Sequence, residues 1–576
     1  MCRALYLHMR CFIVFSLCLL FAACTPTNQA DIVLLNGKIV TVDSNFTIAE
    51  SIAIRDGKIL AVGSTDEIGK YIGRNTNSIQ LNGKTVVPGL IDAHAHPVTA
   101  SQSELNDTIP DVHSINELLN WIQNQAALKK AGEWIIHPKF FITRMLDMRQ
   151  LTLRELDSVA PNNPLFLNGS FGGMVNTKGL QVSNLINSNH KGILRIAETG
   201  RVSGFIHSSV FPLLNIPAKE PLSDEQSVAA LQRLFLLYNK MGITSIISGG
   251  GDTTEYQLYQ KLLNQDSLNV RIFHNFIFSF KPGVSQQEIE NNIDDLRKKT
   301  GDGDNMLKVG SFKVVLDGGV LTGTAYMREG WGDKAKKVYG INDPAYRGNL
   351  FYTEAVLRNI IETALKKGWK FSAHVTGGGG VDTLLSALEK VNSATNISDK
   401  RVSIIHGNFF TGESMNKMSA MNIYADMQPA WYLKDADLLN EVLGSDRLGT
   451  FHPYRSMINK GIIINGGSDH MVKMDANSSI NPYNPFLAIW SAVTRKTERG
   501  SVFNADEAIT RRDALKMYTI NNAMASFEEN TKGSLEPGKL ADLAVLSNDI
   551  LNCPADSIKS IRSVLTVLNG KIVYKE

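Results

Sequence analysis

Cysteine is scarce where it would matter for folding. Of five cysteines in 576 residues, Cys2, Cys11, Cys18 and Cys24 fall within the first 24 positions and only Cys553 follows. With one cysteine in the body of the chain, no disulfide framework can be built, and neither can a metal site made of several thiolates. An excess of charge of one sign is also missing. The 59 Lys and Arg against 56 Asp and Glu leave a net +3, far below the basic surplus that a phosphate backbone demands, so nucleic acid is set aside as a partner. Hydrophobic residues at 43% and charged residues at 20% exclude a mainly disordered, collagenous or coiled-coil chain. At roughly 100–200 residues per domain, the length predicts two to four domains, or one large barrel with a satellite.

The amino-terminal residues read as an address. Arg3 and Arg10 supply a positive end, and residues 11–23 form a thirteen-residue apolar run, short of the ~20 residues of a comfortable membrane span. The run closes on Phe21-Ala22-Ala23-Cys24, which resembles a bacterial lipobox. That similarity implies a lipoprotein signal over residues 1–23, cleavage before Cys24, acylation of its thiol, and a lipid bilayer of the cell envelope as partner. Residues 24–30 then form a polar tether. A plain signal peptide and an uncleaved anchor are the alternatives.

Residues 31–87 predict β-structure, with strong hairpin signals at Asn36-Gly37, Asp56-Gly57 and Asn82-Gly83. The carboxy-terminal end, about 526–576, returns to this style around Asn569-Gly570. The six residues Leu35-Asn36-Gly37-Lys38-Ile39-Val40 recur as Leu568-Asn569-Gly570-Lys571-Ile572-Val573, and both chain ends are read as parts of one small β-domain. Between them, over about 88–525, apolar runs at 243–247, 270–277, 312–316, 370–374, 403–406, 423–427 and 462–466 alternate with helical stretches at 354–367, 381–390 and 511–527. Such alternation predicts an α/β protein with a parallel sheet, and its spacing suits a (β/α)8 barrel with insertions. Residues 100–235 alternate weakly and are read as an inserted, cap-like segment. The glycine clusters at 249–251 and 377–380 are read as loops after strands.

Chemistry-bearing residues stand at the ends of these runs. His94 and His96 close Val87-Pro88-Gly89-Leu90-Ile91-Asp92-Ala93-His94-Ala95-His96. Residues two apart on a strand face one side, so both imidazoles can meet one ion. His374, His406 and Asp469 end or follow later runs, and Lys313 sits inside an apolar strand that runs on to Asp317. In a barrel all carboxyl ends of strands open on one face, where such residues can converge. Taken singly, each has a bland reading: a satisfied core histidine, a capping aspartate, a lysine reaching the rim.

With these residues in place, the chain resembles the amidohydrolase superfamily, most closely the amidohydrolase 3 (YtcJ-like) branch related to N-substituted formamide deformylase. The similarity covers about residues 31–576. It is most specific over 87–97, 313–325, 467–495 and 518–546. It implies a (β/α)8 TIM barrel plus a composite β-sandwich formed by both chain ends. His94 and His96 match first-strand metal ligands. Lys313 matches the lysine that such enzymes often carboxylate into a bridge between two metals. His374 and His406 match ligands on the fifth and sixth strands. Asp469 matches the eighth-strand aspartate, a metal ligand and general base. One or two divalent ions are implied, with zinc expected. Two departures concern the substrate. His374-Val375-Thr376-Gly377-Gly378 lacks the aspartate and arginine usual after this histidine, and Phe171 stands where a histidine is common.

The expected reaction is hydrolysis of a C–N bond, an amide or N-acyl amine, by metal-activated water, with Asp469 moving the proton to the leaving amine. The substrate is then a small-molecule amide. Asp317 and Arg495 are candidate substrate contacts, each with a structural alternative. His452 and His470 are read as structural or rim residues. A homo-oligomer stays among the expectations. A deaminase or cyclic-amide hydrolase on the same site, and a non-catalytic ligand-binding surface lipoprotein, remain as alternatives.

Overall fold

The computed structural model describes residues 29–105, 109–196, 198–218, 220–281 and 283–576. The expected export signal and Cys24 lie outside them. Among the described residues no helix is long and apolar enough to cross a membrane.

Eight parallel strands form the centre: β1 (Leu90–Ala95), β2 (Ile243–Gly251), β3 (Arg271–Ile277), β4 (Leu307–Val315), β5 (Phe371–Val375), β6 (Ser403–His406), β7 (Tyr424–Met427) and β8 (Ile464–Gly466). They lie side by side in chain order. Every residue of β1, β5, β6 and β7 is buried, as expected for strands covered on both faces. The sheet curls until β8 reaches β1. Beyond the end of β8, the Asp469 amide donates to the His94 carbonyl (2.6 Å) and the His96 amide to the His470 carbonyl (2.7 Å). Nearer the strand starts the seam runs through a side chain. Asn522 Nδ2 donates to the carbonyls of Ile91 (2.6 Å) and Gly466 (2.9 Å), and its Oδ1 accepts from the Gly466 amide (3.2 Å). The result is a nearly closed TIM barrel.

Helix Asp224–Lys240 opens on a reciprocal cap between Ser223 and Gln226. It buries Val228, Leu231, Leu234, Phe235 and Tyr238 in the same apolar cluster as the barrel strands. That i, i+3, i+4 stripe makes it barrel wall, so the inserted segment ends before this helix rather than at residue 235. The insertion carries its own five-stranded sheet, ordered Ile193–Arg195, Val202–His207, Gly172–Val175, Leu165–Asn168, Ile135–His137.

Two further sheets form the sandwich. One has four strands, ordered Lys58–Gly63, Ser51–Arg55, Ile32–Leu35, Asn77–Gln80. The other has six, ordered Lys571–Lys575, Ser563–Leu568, Leu543–Leu546, Thr85–Pro88, Lys38–Val40, Ile48–Ala49. Carboxy-terminal Leu543 lies opposite Pro88 in antiparallel pairing, so both chain ends share one sheet. Asp56-Gly57 and Asn569-Gly570 are tight hairpin turns with positive φ at both residues. Asn36-Gly37 and Asn82-Gly83 are not hairpins. Each is a corner where the chain leaves one sheet for the other, and the strands before and after the two corners pair in parallel. The corners clasp each other: Gly83 N donates to Asn36 O (2.8 Å) and Lys38 N to Lys84 O (3.0 Å).

Candidate metal centre

The carboxyl ends of β1, β4, β5, β6 and the turn after β8 meet over the barrel mouth. The ligand atoms of His94, His96 and Asp469 all lie within 4.8 Å of one another. Asp469 Oδ1 is 3.5 Å from His94 Nε2 and 3.3 Å from His96 Nε2. The His406 ring lies 5.1 Å from that of His94 and 4.7 Å from that of His374. Lys313 Nζ stands 3.5 Å from His94 Nε2 and donates to the Gly249 carbonyl. These six residues, separated by up to 375 positions (469 − 94), are brought together.

The backbone sets their aim. The His94 and Ser468 amides both donate to Asp92 Oδ1 at 3.0 Å, tying the first-strand ligands to the Asp469 turn. Asn481 Nδ2 donates to the Asp469 carbonyl (2.7 Å) and to its Oδ2 (3.1 Å), leaving Oδ1 toward the imidazoles. His406 and Asp469 have φ of 73° and 56°, a left-handed conformation that is costly for such side chains and is typical of functional sites.

The residues present fit a divalent ion. Burial, with the nearby Lys313 charge second, holds His374 down at about 3. Burial also pushes His94 and His406 well below the usual imidazole range, so all three rings are neutral and have a lone pair to offer a metal. His374 Nε2 faces the Gly318 carbonyl at 3.3 Å, which can only accept; the proton therefore sits on Nε2 and Nδ1 keeps its lone pair. At His406 the assignment is opposite. Gln428 donates through Nε2 to Asp426 O (3.0 Å), so its Oε1 accepts from His406 Nδ1 (2.7 Å) and the His406 Nε2 lone pair is free. Gly249 supplies the space: a Cβ there would stand 2.5 Å from His96 Nε2 and 2.9 Å from His94 Nε2. Burial lowers Lys313 to about 8.

The glycine clusters are therefore not simple loops. Residues 249–251 end β2 beside the ligands, and Gly378 opens helix Gly378–Ala394. A Cβ at Gly379 would meet Met327 O at 2.6 Å, so bare backbone lets the helix start pack on residues 326–328. Phe171 lies against His374, with ring centres 5.0 Å apart.

Asp317 and Arg495 do not line the cavity at the mouth. Asp317 is fully buried; it accepts from the amides of Thr376 (2.8 Å), Gly377 (2.8 Å) and Tyr326 (3.0 Å), a clasp between two loops. Burial raises its carboxyl to about 7 against those bonds. Arg495 is also fully buried, stacked 3.8 Å over the Tyr432 ring and donating to the His452 carbonyl. Both are structural, as are His470, bonded to Tyr238 and the Lys473 carbonyl, and His452, bonded to Asn408 and Tyr454. The walls of the cavity, about 250 Å³, that motif reading missed include Lys139, Ser170 and Trp431. The His406 and Trp431 rings stack at 4.8 Å.

A parallel eight-stranded barrel whose mouth gathers neutral imidazoles, a buried lysine and a carboxylate has the layout of a metal-dependent hydrolase. Comparison with known sequences gives the family. The pattern of the amidohydrolase family (Amidohydro_3) matches residues 78–574, and the chain belongs to that family. It is 25% identical to N-substituted formamide deformylase of Arthrobacter pascens over 570 residues, covering 95% of this chain and 99% of the other. It is 28% identical to protein LONG AFTER FAR-RED 3 of Arabidopsis thaliana over 564 residues, covering 95% and 92%. Among solved structures, an uncharacterized metal-dependent hydrolase from Pyrococcus horikoshii OT3 superposes with a TM-score of 0.65 at 19% identity, covering 91% of this chain and 99% of the other; this likeness bears on the fold.

Proposed function

We propose that the protein is a metal-dependent amidohydrolase that cleaves the C–N bond of a small amide or N-acyl amine. The reading is carried by His94, His96 and Asp469, whose ligand atoms converge within 4.8 Å, beside His374 and His406 with lone pairs turned free by Gly318 and Gln428. A divalent ion bound there, with zinc the expected one, supplies acidity to water, from 15.7 toward ~7, and polarises a carbonyl oxygen. His94, His96, His374, His406 and Asp469 would hold it, joined by Lys313 once carboxylated. Asp469 takes a proton on its carboxylate and returns it to the departing amine, held in place by Asn481. Phe171 and Trp431 exclude bulk water from the reacting face. Lys313, its amine buried against His94, is suited to carbamate formation: the amine nitrogen bonds to the carbon of CO2 and releases a proton. The apolar run before Cys24 supports tethering of this activity at the cell envelope by an acylated cysteine.

Metal analysis by mass spectrometry tests the reading. The full chain, purified with bicarbonate and zinc, is expected to hold about one to two equivalents, falling at least severalfold in Lys313→Ala, and to release an amine and a carboxylate from an amide panel. Ammonia release without a new carboxylate would point to a deaminase instead. Failure to bind any divalent ion after reconstitution would end the catalytic reading in favour of a ligand-binding barrel.

A further inference from the structure

The inserted segment places two polar side chains in the cavity that the metal chemistry does not use. Lys139 follows strand Ile135–His137, and Ser170 tops the turn between strands Leu165–Asn168 and Gly172–Val175; both line the cavity shared with His94, His374 and Asp469. Lys139 Nζ donates to Ser170 Oγ at 2.5 Å. Among the described residues it has no carboxylate within ion-pair reach. The lysine is half-buried, and an ammonium partly withdrawn from water favours an anionic partner.

The turn holding Ser170 is strained. Its φ is 71°, a left-handed conformation that is unfavourable for a serine and that clusters at active sites and ligand clamps. The Ser170 amide is held by Asn168 Oδ1 (2.9 Å), and the Phe171 amide by the Gly169 carbonyl (2.9 Å). The turn thus fixes a hydroxyl and an aromatic ring side by side. With one Lys N–H on Ser170, two more N–H donors and the Ser170 O–H remain. Around them the walls are apolar: Phe141, Phe171, Val320, Leu321 and Trp431.

The geometry points to Lys139 and Ser170 as a clamp for a substrate carboxylate, so that the substrate is an amide carrying a carboxylate on a short arm and an apolar side group, of the N-acyl amino acid type. One cation and one hydroxyl match the two oxygens and single charge of a carboxylate. Burial lowers Lys139 to about 8, opposed by the nearby Asp469 charge, so the ammonium form predominates at neutral pH. Lys139, Ser170 and Asp469 line one cavity of about 250 Å³, so the carboxylate and the scissile amide belong to one small molecule. This assignment rests on the hydrolase reading for the word substrate, but not for the binding of the anion.

Titration calorimetry of the full chain with N-acetylphenylalanine and N-acetyl-2-phenylethylamine tests it, because these ligands differ only by the carboxylate. The unaltered protein should bind the carboxylate roughly 10-fold or more tightly. Lys139→Met should bring the two affinities within about two-fold, and Lys139→Arg should keep most of the preference. Near-ultraviolet circular dichroism reports whether the variants are folded. The comparison in the unaltered protein needs no variant at all. Equal affinities, undetectable binding of both ligands, or a preference that survives in folded Lys139→Met would overturn the clamp. Hydrolysis of the neutral amide with kcat/KM equal to that of the acid would overturn it too, while leaving the hydrolase reading intact. A carboxylate preference without hydrolysis by the zinc-loaded chain would support the clamp and count against the hydrolase.

Discussion

At the scale of single residues, the site depends on which nitrogen of each imidazole carries the proton. His406 presents Nε2 because Gln428 Oε1 takes the hydrogen on Nδ1, and Gln428 is oriented in turn by the Asp426 carbonyl. Removing that acceptor leaves a buried imidazole free to choose the wrong tautomer. Gln428→Leu should therefore weaken divalent-ion affinity by roughly 10–100-fold, the usual cost of losing such a supporting bond. Competition with a chelator at fixed pH reads this directly, and an affinity unchanged within about two-fold would show that Trp431 stacking alone orients the ring. Five of the six candidate ligands were legible in the sequence because each sits at or just beyond the end of an apolar run, and in a barrel every such end opens on one face; Lys313 was legible as a charge inside an apolar strand. Asp317 was legible as a polar residue near the site. Its role was not, because the three amides that saturate it come from residues up to sixty positions away (377 − 317). Lys139 and Ser170 belong to the insertion, whose strands of three to six residues are too short to give a periodic signal.

At the scale of elements, one hexapeptide adopts two geometries. In its second copy, Asn569 and Gly570 both have positive φ and join the paired strands Ser563–Leu568 and Lys571–Lys575, the latter partly or fully exposed. In its first copy, Leu35, Ile39 and Val40 are buried, Gly37 has no positive φ, and the chain passes between sheets. A Cβ at Gly37 would meet Lys84 O at 2.9 Å. Packing of the second corner, around Asn82-Gly83, therefore decides the first, and local turn preference yields to it. The barrel seam shows the same dependence on distant residues. Asn522, from helix Ile520–Ala525, makes three bonds to Ile91 and Gly466 across β1 and β8. Asn522→Ala removes all three in a buried position and should cost about 3 kcal/mol. The expected readouts are a lower thermal midpoint and faster amide exchange at Gly466, whose N–H loses its Asn522 acceptor. A midpoint indistinguishable from that of the unaltered protein would mean that the backbone bonds of Asp469 and His96 close the barrel alone.

At the scale of the whole molecule, the barrel is joined to the sandwich through buried charge. Arg271, at the start of β3, makes a two-pronged pair with Asp542 (2.6 and 2.8 Å) just before strand Leu543–Leu546. Glu528 accepts from Lys308 of β4 at 2.8 Å and lies 2.7 Å from Lys532. Burial opposes the Glu528 charge, but the Lys532 and Lys308 ammoniums outweigh it and hold the carboxyl at about 2, against an ordinary 4.5. The fold thus favours the ionised form. A depressed carboxyl contributes its full stabilisation above the unfolded value and loses it as pH falls through the folded one, so this contribution is present above about pH 4.5 and fades toward about pH 2. The difference in binding corresponds to about 3 kcal/mol. Glu528→Gln keeps the shape, removes the charge and leaves two ammoniums facing a neutral amide. In urea unfolding the variant should be about 3 kcal/mol less stable near neutrality, and the gap should narrow steadily between about pH 5 and about pH 3 as the native carboxyl loses its advantage. Metal release in acid affects both proteins alike and cancels in the difference. A gap that stays constant down to about pH 3 would mean that the glutamate acts through shape rather than charge. A negligible gap at neutrality would mean that Arg271 and Asp542 carry the junction without it.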